Sequence, residues 1–188
     1  IVILGVGRLY QEKGFDRLIR AFADLKRIFP SVGLVIVGEG GLRLELEALI
    51  EQLGVREDVL MPGYCGQVPA LLKCSTVLLM PSLTEGLPIT LLEAISLKTP
   101  VIASGVGEIP KVLGDGKGGQ ILKDVEPAAI CEEIELLLMN REPYRQKQDW
   151  ASAEVTKLYS SKSMADQYLL FYRRVAGKAL ISDRLKPF

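Results

Sequence analysis

The chain has 188 residues, 48% of them hydrophobic, enough for one well-packed domain and short for two. Its 23 lysines and arginines balance 23 acidic residues, and no basic block is interleaved with aromatics, so the electrostatic footprint of a nucleic-acid binder is missing. Histidine is absent and the three cysteines, Cys65, Cys74 and Cys131, show no CxxC spacing, which excludes an ordinary zinc site and fits a reducing, cytoplasmic compartment.

In chain order, Ile1 to Gly5 reads as a strand, with neither an initiator Met nor a signal-peptide pattern before it, as expected of a piece of a longer polypeptide. Phe15 to Ile28 follows with apolar Phe15, Leu18, Ile19, Phe22 and Leu25 at helical spacing. Gly33 to Val37 is the next strand. Leu42 to Leu53 is a helix stopped at Gly54. Val59 to Met61 is a short strand and Val68 to Lys73 a short helix. The continuous apolar run Thr76 to Met80 is a buried strand ended by Pro81 and Ser82. A helix opens at Pro88, expected at its first position, and runs through about Leu97.

Strands follow at Val101 to Ala103 and Gln120 to Leu122, then a helix from Pro127 to Met139. Strand and helix repeated this way predict an α/β fold, a doubly wound parallel sheet of about six strands covered on both faces. From Arg141 only helices remain, with a rich apolar face over Ser163 to Val175, while Leu180 to Phe188 has little periodicity and is expected to wander on the surface. Every apolar run falls far short of the roughly 20 residues that a membrane span needs, so the domain is expected to be soluble.

The segment Pro81 to Ala94, PSLTEGLPITLLEA, carries the most chemistry. It sets Glu85 and Glu93 eight positions apart around a Gly-Leu-Pro turn. Glu85 falls in the loop at a sheet edge, and Gly86 permits a close ligand approach. The free N–H groups and dipole of the helix that follows favour an anion or a ring of hydroxyl oxygens. Glu93 lies about 7 to 8 Å into that helix, with its side chain slanted back toward the start. Both carboxylates can then reach one pocket. Glu93 sits among Leu91, Leu92, Ala94, Ile95 and Leu97, so the helix reads as largely buried, and a buried carboxylate without a partner is costly. The plainer alternative makes Glu85 a solvated loop residue and Glu93 an ordinary surface position.

In open α/β sheets ligands bind beyond the carboxyl ends of strands, near the point where strand order reverses. The first strand leads into Gly5, Val6, Gly7, Arg8 and Leu9, then Lys13 and Gly14. Tyr10 stands where a dinucleotide fingerprint needs its third Gly, so a GxGxxG reading fails. What remains is a glycine turn at Gly7 presenting Arg8, which can grip phosphate through a fork, and Lys13, which adds a point charge. Two solvated loop cations are the alternative. The second strand ends in Gly38, Glu39, Gly40 and Gly41, either a plain turn or a close backbone approach to a nucleoside. The strand before residue 104 ends in Ser104, Gly105, Val106 and Gly107, another permissive loop on the same edge.

Taken together, GRLYQEKG, VIVGEG, PSLTEGLPITLLEA, TPVIASGVGEIPKVL and DGKGG, in this order and spacing, resemble the nucleotide-sugar-binding C-terminal half of a GT-B glycosyltransferase of the large retaining group called family 4. The resemblance covers about Ile1 to Met139, and the final helices also resemble the family's ending. It implies a Rossmann-like domain in which Arg8 and Lys13 hold the donor diphosphate. Glu85 and the backbone of Gly86, Leu87, Pro88 and Ile89 would hold the transferred sugar, and Glu93 the ribose hydroxyls. Backbone near Tyr64 would meet the base. Departures sit at Glu108, in place of a usual Gly, and Lys111, in place of a usual Glu, so that loop is not carried over as a contact site.

The resemblance implies a single donor-binding domain over residues 1 to 188, with its sheet core at about 1 to 140 and terminal helices at about 141 to 178. The N-terminal acceptor domain would be missing, and with it any membrane contact. The expected partners are a nucleoside-diphosphate sugar, that N-terminal domain, and a second copy of the fragment through the apolar terminal helix. The expected activity of the whole enzyme is transfer of a hexose-type sugar to a hydroxyl acceptor with no metal or other cofactor, because no Asp-x-Asp cluster is present. Competing readings are a sugar-nucleotide epimerase or phosphorylase half, and a non-catalytic nucleotide-sensing module.

Overall fold

The structure, a computed structural model, describes residues 1–182. Six strands, β1 (Val2–Val6), β2 (Gly33–Val37), β3 (Val59–Gly63), β4 (Val77–Met80), β5 (Val101–Ser104) and β6 (Gln120–Leu122), form one sheet in the order β3-β2-β1-β4-β5-β6. All five pairings are parallel. The chain therefore builds outward from β1 in one direction, returns, and builds outward from β4 in the other. The reversal between β1 and β4 opens a crevice at their carboxyl ends.

The helices are α1 (Phe15–Ile28), α2 (Arg43–Gln52), α3 (Val68–Cys74), α4 (Ile89–Ser96), α5 (Ile109–Val112), α6 (Pro127–Met139), α7 (Glu142–Leu158) and α8 (Ser161–Ser182). Successive strand residues alternate between two cores, as the period of two requires. Ile3, Leu34, Ile36, Val77, Leu79 and Ile102 pack under α1, α2 and α6. Leu4, Leu78, Met80, Val101 and Ala103 pack under α3, α4, α5 and α7. The predicted apolar stripe of α1 is buried in full, and each such side chain contributes about 1.5–3 kcal/mol relative to exposure. The doubly wound α/β sheet read from the sequence is the observed one.

Several local expectations differ. β1 is displaced by one residue, and α5 was not expected at all. Pro88 is the cap of α4, with extended backbone (φ −70°, ψ 119°), instead of its first helical residue. α4 is buried on one face only, through Leu91, Ala94 and Ile95, while Ile89 and Ser96 are exposed and Glu93 is half-buried. The expected irregular tail differs over Leu180 to Ser182, which continue α8. Its remainder, residues 183–188, lies outside the described residues. Among those described, no helix is long and apolar enough to cross a membrane.

Candidate functional site

The site grows from the loops after β1 and β4, which leave neighbouring strands side by side. The β1 loop runs through Gly7 and Arg8, makes a single helical turn at Gln11–Lys13 and enters α1 at Gly14. Gly14 adopts a left-handed angle, φ +67°, which an L-residue adopts only with strain. The β4 loop carries Ser82 and Glu85. The two are joined where the Leu83 N–H donates to the Glu12 carbonyl oxygen at 2.7 Å.

Lys13 and Glu85 meet across this junction. Lys13 Nζ donates to Glu85 Oε1 at 2.6 Å, and both side chains are mostly buried, 17% and 8% exposed. The sequence reading had given them to separate parts of a ligand, the diphosphate and the sugar; the fold makes them direct partners. Ser82 Oγ donates to the same Glu85 oxygen at 2.8 Å. Gly7 lies against the stem of Lys13, where an added Cβ would sit 3.4 Å away. Gly38 in turn meets Gly7: a Cβ on Gly38 would stand 1.8 Å from the Gly7 carbonyl oxygen. Gly38, Gly7, Lys13 and Glu85 thus form one contiguous line across the carboxyl edge of β2, β1 and β4.

Beside this line lies a cleft of about 350 Å³, lined by Val6, Gly7, Arg8, Val37, Gly38, Glu39, Tyr64, Cys65 and Val68. It brings together Gly7, Arg8, Gly38 and Tyr64, but not Glu85, Glu93 or the segment from Gly86 to Ile89. Arg8 is 72% exposed, hydrogen-bonded to Glu12 at 3.3 Å, with its guanidinium 5.5 Å from the Tyr10 ring centre. Tyr64 is 83% exposed at the rim. Glu39 is tied to Arg43 at 3.4 Å, and Arg43 also donates to the Met61 carbonyl oxygen, which fixes the far wall.

Gly86, Leu87 and Ile89 are exposed and Pro88 is half-buried. The start of α4 carries no side-chain cap, and although the Leu91 N–H donates to the Pro88 carbonyl oxygen at 3.2 Å, those of Ile89 and Thr90 stay open beside the Glu85 loop. Glu93 lies one turn further along, and among the described residues its carboxylate has no hydrogen-bonded partner.

The loop after β5, set aside in the sequence reading because of Glu108 and Lys111, braces this segment from behind. Gly107, at φ +58°, is packed so closely that a Cβ would stand 2.0 Å from the Glu85 carbonyl oxygen, and the Glu108 N–H donates to the Gly86 carbonyl oxygen at 3.1 Å. Glu108 and Lys111 themselves pair with each other at 3.0 Å on the surface. The pair raises the Lys111 pKa through its hydrogen bond to Glu108. Also missed were Ser82, two residues beyond β4, and Ser104, the last residue of β5, whose signal was a hydroxyl following an apolar run.

The profile of the family described as "Glycosyl transferases group 1" matches residues 1–153. The chain is 29% identical over 176 residues to an alpha-D-kanosaminyltransferase of Streptomyces kanamyceticus, covering 93% of this chain and 46% of that protein. It is 33% identical over 192 residues to a D-inositol 3-phosphate glycosyltransferase of Segniliparus rotundus, covering 97% and 42%. Among solved structures, Anabaena HepE in complex with UDP matches with a TM-score of 0.85 at 21% identity, over 92% of this chain and 48% of that one. The C-terminal domain of LpcC, a glycosyl transferase group 1 protein of Francisella tularensis, matches with a TM-score of 0.76 at 21% identity, over 85% and 87%. The chain spans about half the length of the curated relatives it matches.

Proposed function

Because the chain belongs to the glycosyl transferases group 1 family, we propose that it is the nucleotide-sugar-binding half of a retaining glycosyltransferase that moves a hexose-type sugar from a nucleoside diphosphate to a hydroxyl acceptor. The observation that carries this reading is the contiguous line of Gly38, Gly7, Lys13 and Glu85 at the strand-order reversal. It runs from an open cleft, through a backbone without side chains, to a cation and then a carboxylate. A nucleoside, a diphosphate and a sugar occur in that order in the donor.

On this reading the base occupies the cleft near Tyr64 and Gly38, and the ribose lies outside it toward α4, where Glu93 accepts hydrogen bonds from its hydroxyls. The diphosphate lies over Gly7 between Arg8, Lys13 and the uncapped start of α4. As the sugar bond breaks, negative charge gathers on the departing diphosphate. Fixed positive groups stabilise that charge more than the ground state, without a metal. Glu85, with the backbone of Gly86, Leu87, Pro88 and Ile89, holds the sugar. The acceptor is supplied by an N-terminal domain of the whole enzyme, and the setting is the reducing cytoplasm.

UDP, GDP, ADP and their sugar conjugates, titrated into the chain by calorimetry, test the reading. One diphosphate series binds, EDTA leaves the affinity unchanged, and no sugar is transferred by this chain alone. Binding that vanishes with EDTA, or transfer by the chain itself, would overturn it. HepE was solved in complex with UDP-glucose, which makes the uridine series the first to try.

A further inference from the structure

Among the described residues only three polar side chains are fully buried, Ser82, Thr99 and Ser104, and two of them lie in line beneath Glu85. A hydroxyl taken out of water is costly unless it is hydrogen-bonded, and alanine would fill either place without that risk. Ser104 Oγ donates to the Ser82 carbonyl oxygen at 2.6 Å, and Ser82 Oγ donates to Glu85 Oε1 at 2.8 Å. Lys13 Nζ takes the same oxygen from the opposite loop. Both bonds thus fall on Oε1, and among the described residues none falls on Oε2. A carboxylate gripped at one oxygen by two donors from different loops has a fixed plane, and its second oxygen has a fixed direction.

We propose that Ser82, seated by Ser104, is a positioning residue that fixes the Glu85 carboxylate so that Oε2 is presented to the hydroxyls of the transferred sugar. This rests on the reading of Glu85 as the sugar-holding carboxylate. Ser82 touches no part of the ligand. It acts only through the orientation of Glu85, so its loss is felt by a sugar nucleotide and not by the bare diphosphate.

The test is the ratio of sugar-nucleotide to diphosphate affinity, measured on the chain by calorimetry for UDP-glucose and UDP, GDP-mannose and GDP, and ADP-glucose and ADP. For the pair that binds, Ser82→Ala lowers this ratio about five- to tenfold while diphosphate affinity stays within about twofold. Ser104→Ala, which keeps the Ser82 side chain but removes the hydrogen bond to its carbonyl oxygen, lowers the ratio about two- to threefold and decides the matter if Ser82→Ala does not fold.

An unchanged ratio, or an equal loss for both members of the pair, overturns the proposal; equal loss would mean that the hydroxyl only shapes the turn. Glu85→Ala separates the two levels. If it narrows the ratio and Ser82→Ala does not, positioning alone falls. If it leaves the ratio unchanged, the reading of Glu85 falls and the proposal with it. Absence of binding by every pair overturns both.

Discussion

Gly14 is pressed against Pro81: a Cβ added to Gly14 would stand 2.2 Å from the Pro81 carbonyl oxygen. This contact sets the start of α1 on the loop that carries Glu85. Gly54 has a similar left-handed angle, φ +69°, but open space around it. Gly54→Ala therefore isolates the backbone strain, about 1–2 kcal/mol. Gly14→Ala adds a collision with main chain and is expected to cost at least about 2 kcal/mol more in urea unfolding and to weaken diphosphate binding. Equal costs for the two would mean that the loops separate freely.

The buried Lys13 and Glu85 pair behaves differently from the exposed pair of Arg8 and Glu12. Lys13→Met leaves a mostly buried carboxylate without its cation and is expected to destabilise by about 3–5 kcal/mol. The double variant with Glu85→Gln regains at least about 1 kcal/mol of that loss. Arg8→Ala changes stability by less than about 1 kcal/mol, because its pair is screened by solvent. Yet Arg8→Ala is expected to weaken a diphosphate about tenfold or more and the free nucleoside hardly at all. Equal losses for nucleoside and diphosphate would remove Arg8 from the phosphate site.

Glu93→Gln addresses the ribose. A half-buried carboxylate that accepts from two hydroxyls loses part of each bond when neutralised, an expected weakening of about 1.5–3 kcal/mol. The 2′,3′-dideoxy nucleotide lacks those hydroxyls, and its affinity should not change. A matching loss for the dideoxy compound would place Glu93 away from the sugar ring of the nucleoside.

The sheet was legible because its strands are short apolar runs punctuated by Gly and Pro, and β6 and α6 begin and end where the sequence places them. The site was legible in its residue types but not in its contacts. Nothing local says that Lys13 faces Glu85; that follows from β1 lying beside β4, which is a property of strand order. The seat of Ser82 was hidden for the same reason, since it needs the register in which Met80 stands opposite Ala103, bringing Ser104 level with the β4 loop. Glu93 was read as more buried than it is because apolar neighbours in sequence were taken for neighbours in space, whereas α4 turns Ile89 outward.

α8 leaves Met164, Tyr168, Phe171, Tyr172 and Val175 all more than half exposed, beside a groove of about 470 Å³. Contiguous apolar surface of this kind tends to find a partner. The chain is expected to self-associate with rising concentration in sedimentation, and the double variant Tyr168→Glu, Phe171→Glu to remain monomeric with unchanged thermal stability. Monomeric behaviour of the unaltered chain at high concentration would rule this out.

Burial pushes the Cys131 thiol up from about 9 to about 11, with Glu135 adding to the effect. The sign follows from the unfolded chain, which releases this proton first. The contribution is fully present below pH 9 and is lost as pH rises from 9 to about 11, on the order of 1–2 kcal/mol. Cys131→Ala should flatten that alkaline decline in stability. A decline of the same depth in the variant would assign it to other groups such as Tyr144, which is pushed up to about 12 by burial beside Glu133.

The central place of β1 bears on how the molecule comes into being on the ribosome. Within this domain β1 is made before the strands that flank it, β2 and β4, and Lys13 and Glu85, which meet beyond its carboxyl end, are 72 positions apart. The contact cannot form until residue 85 of the 188 has been made, as for any fold rich in distant pairings. A nascent chain stalled before β4 has left the exit tunnel would hold β1, β2 and β3 and the wall of the cleft, yet have no carboxylate for Lys13. On the proposed reading, the Lys13–Glu85 junction of the donor site is therefore completed only when β4 docks against a strand made long before it.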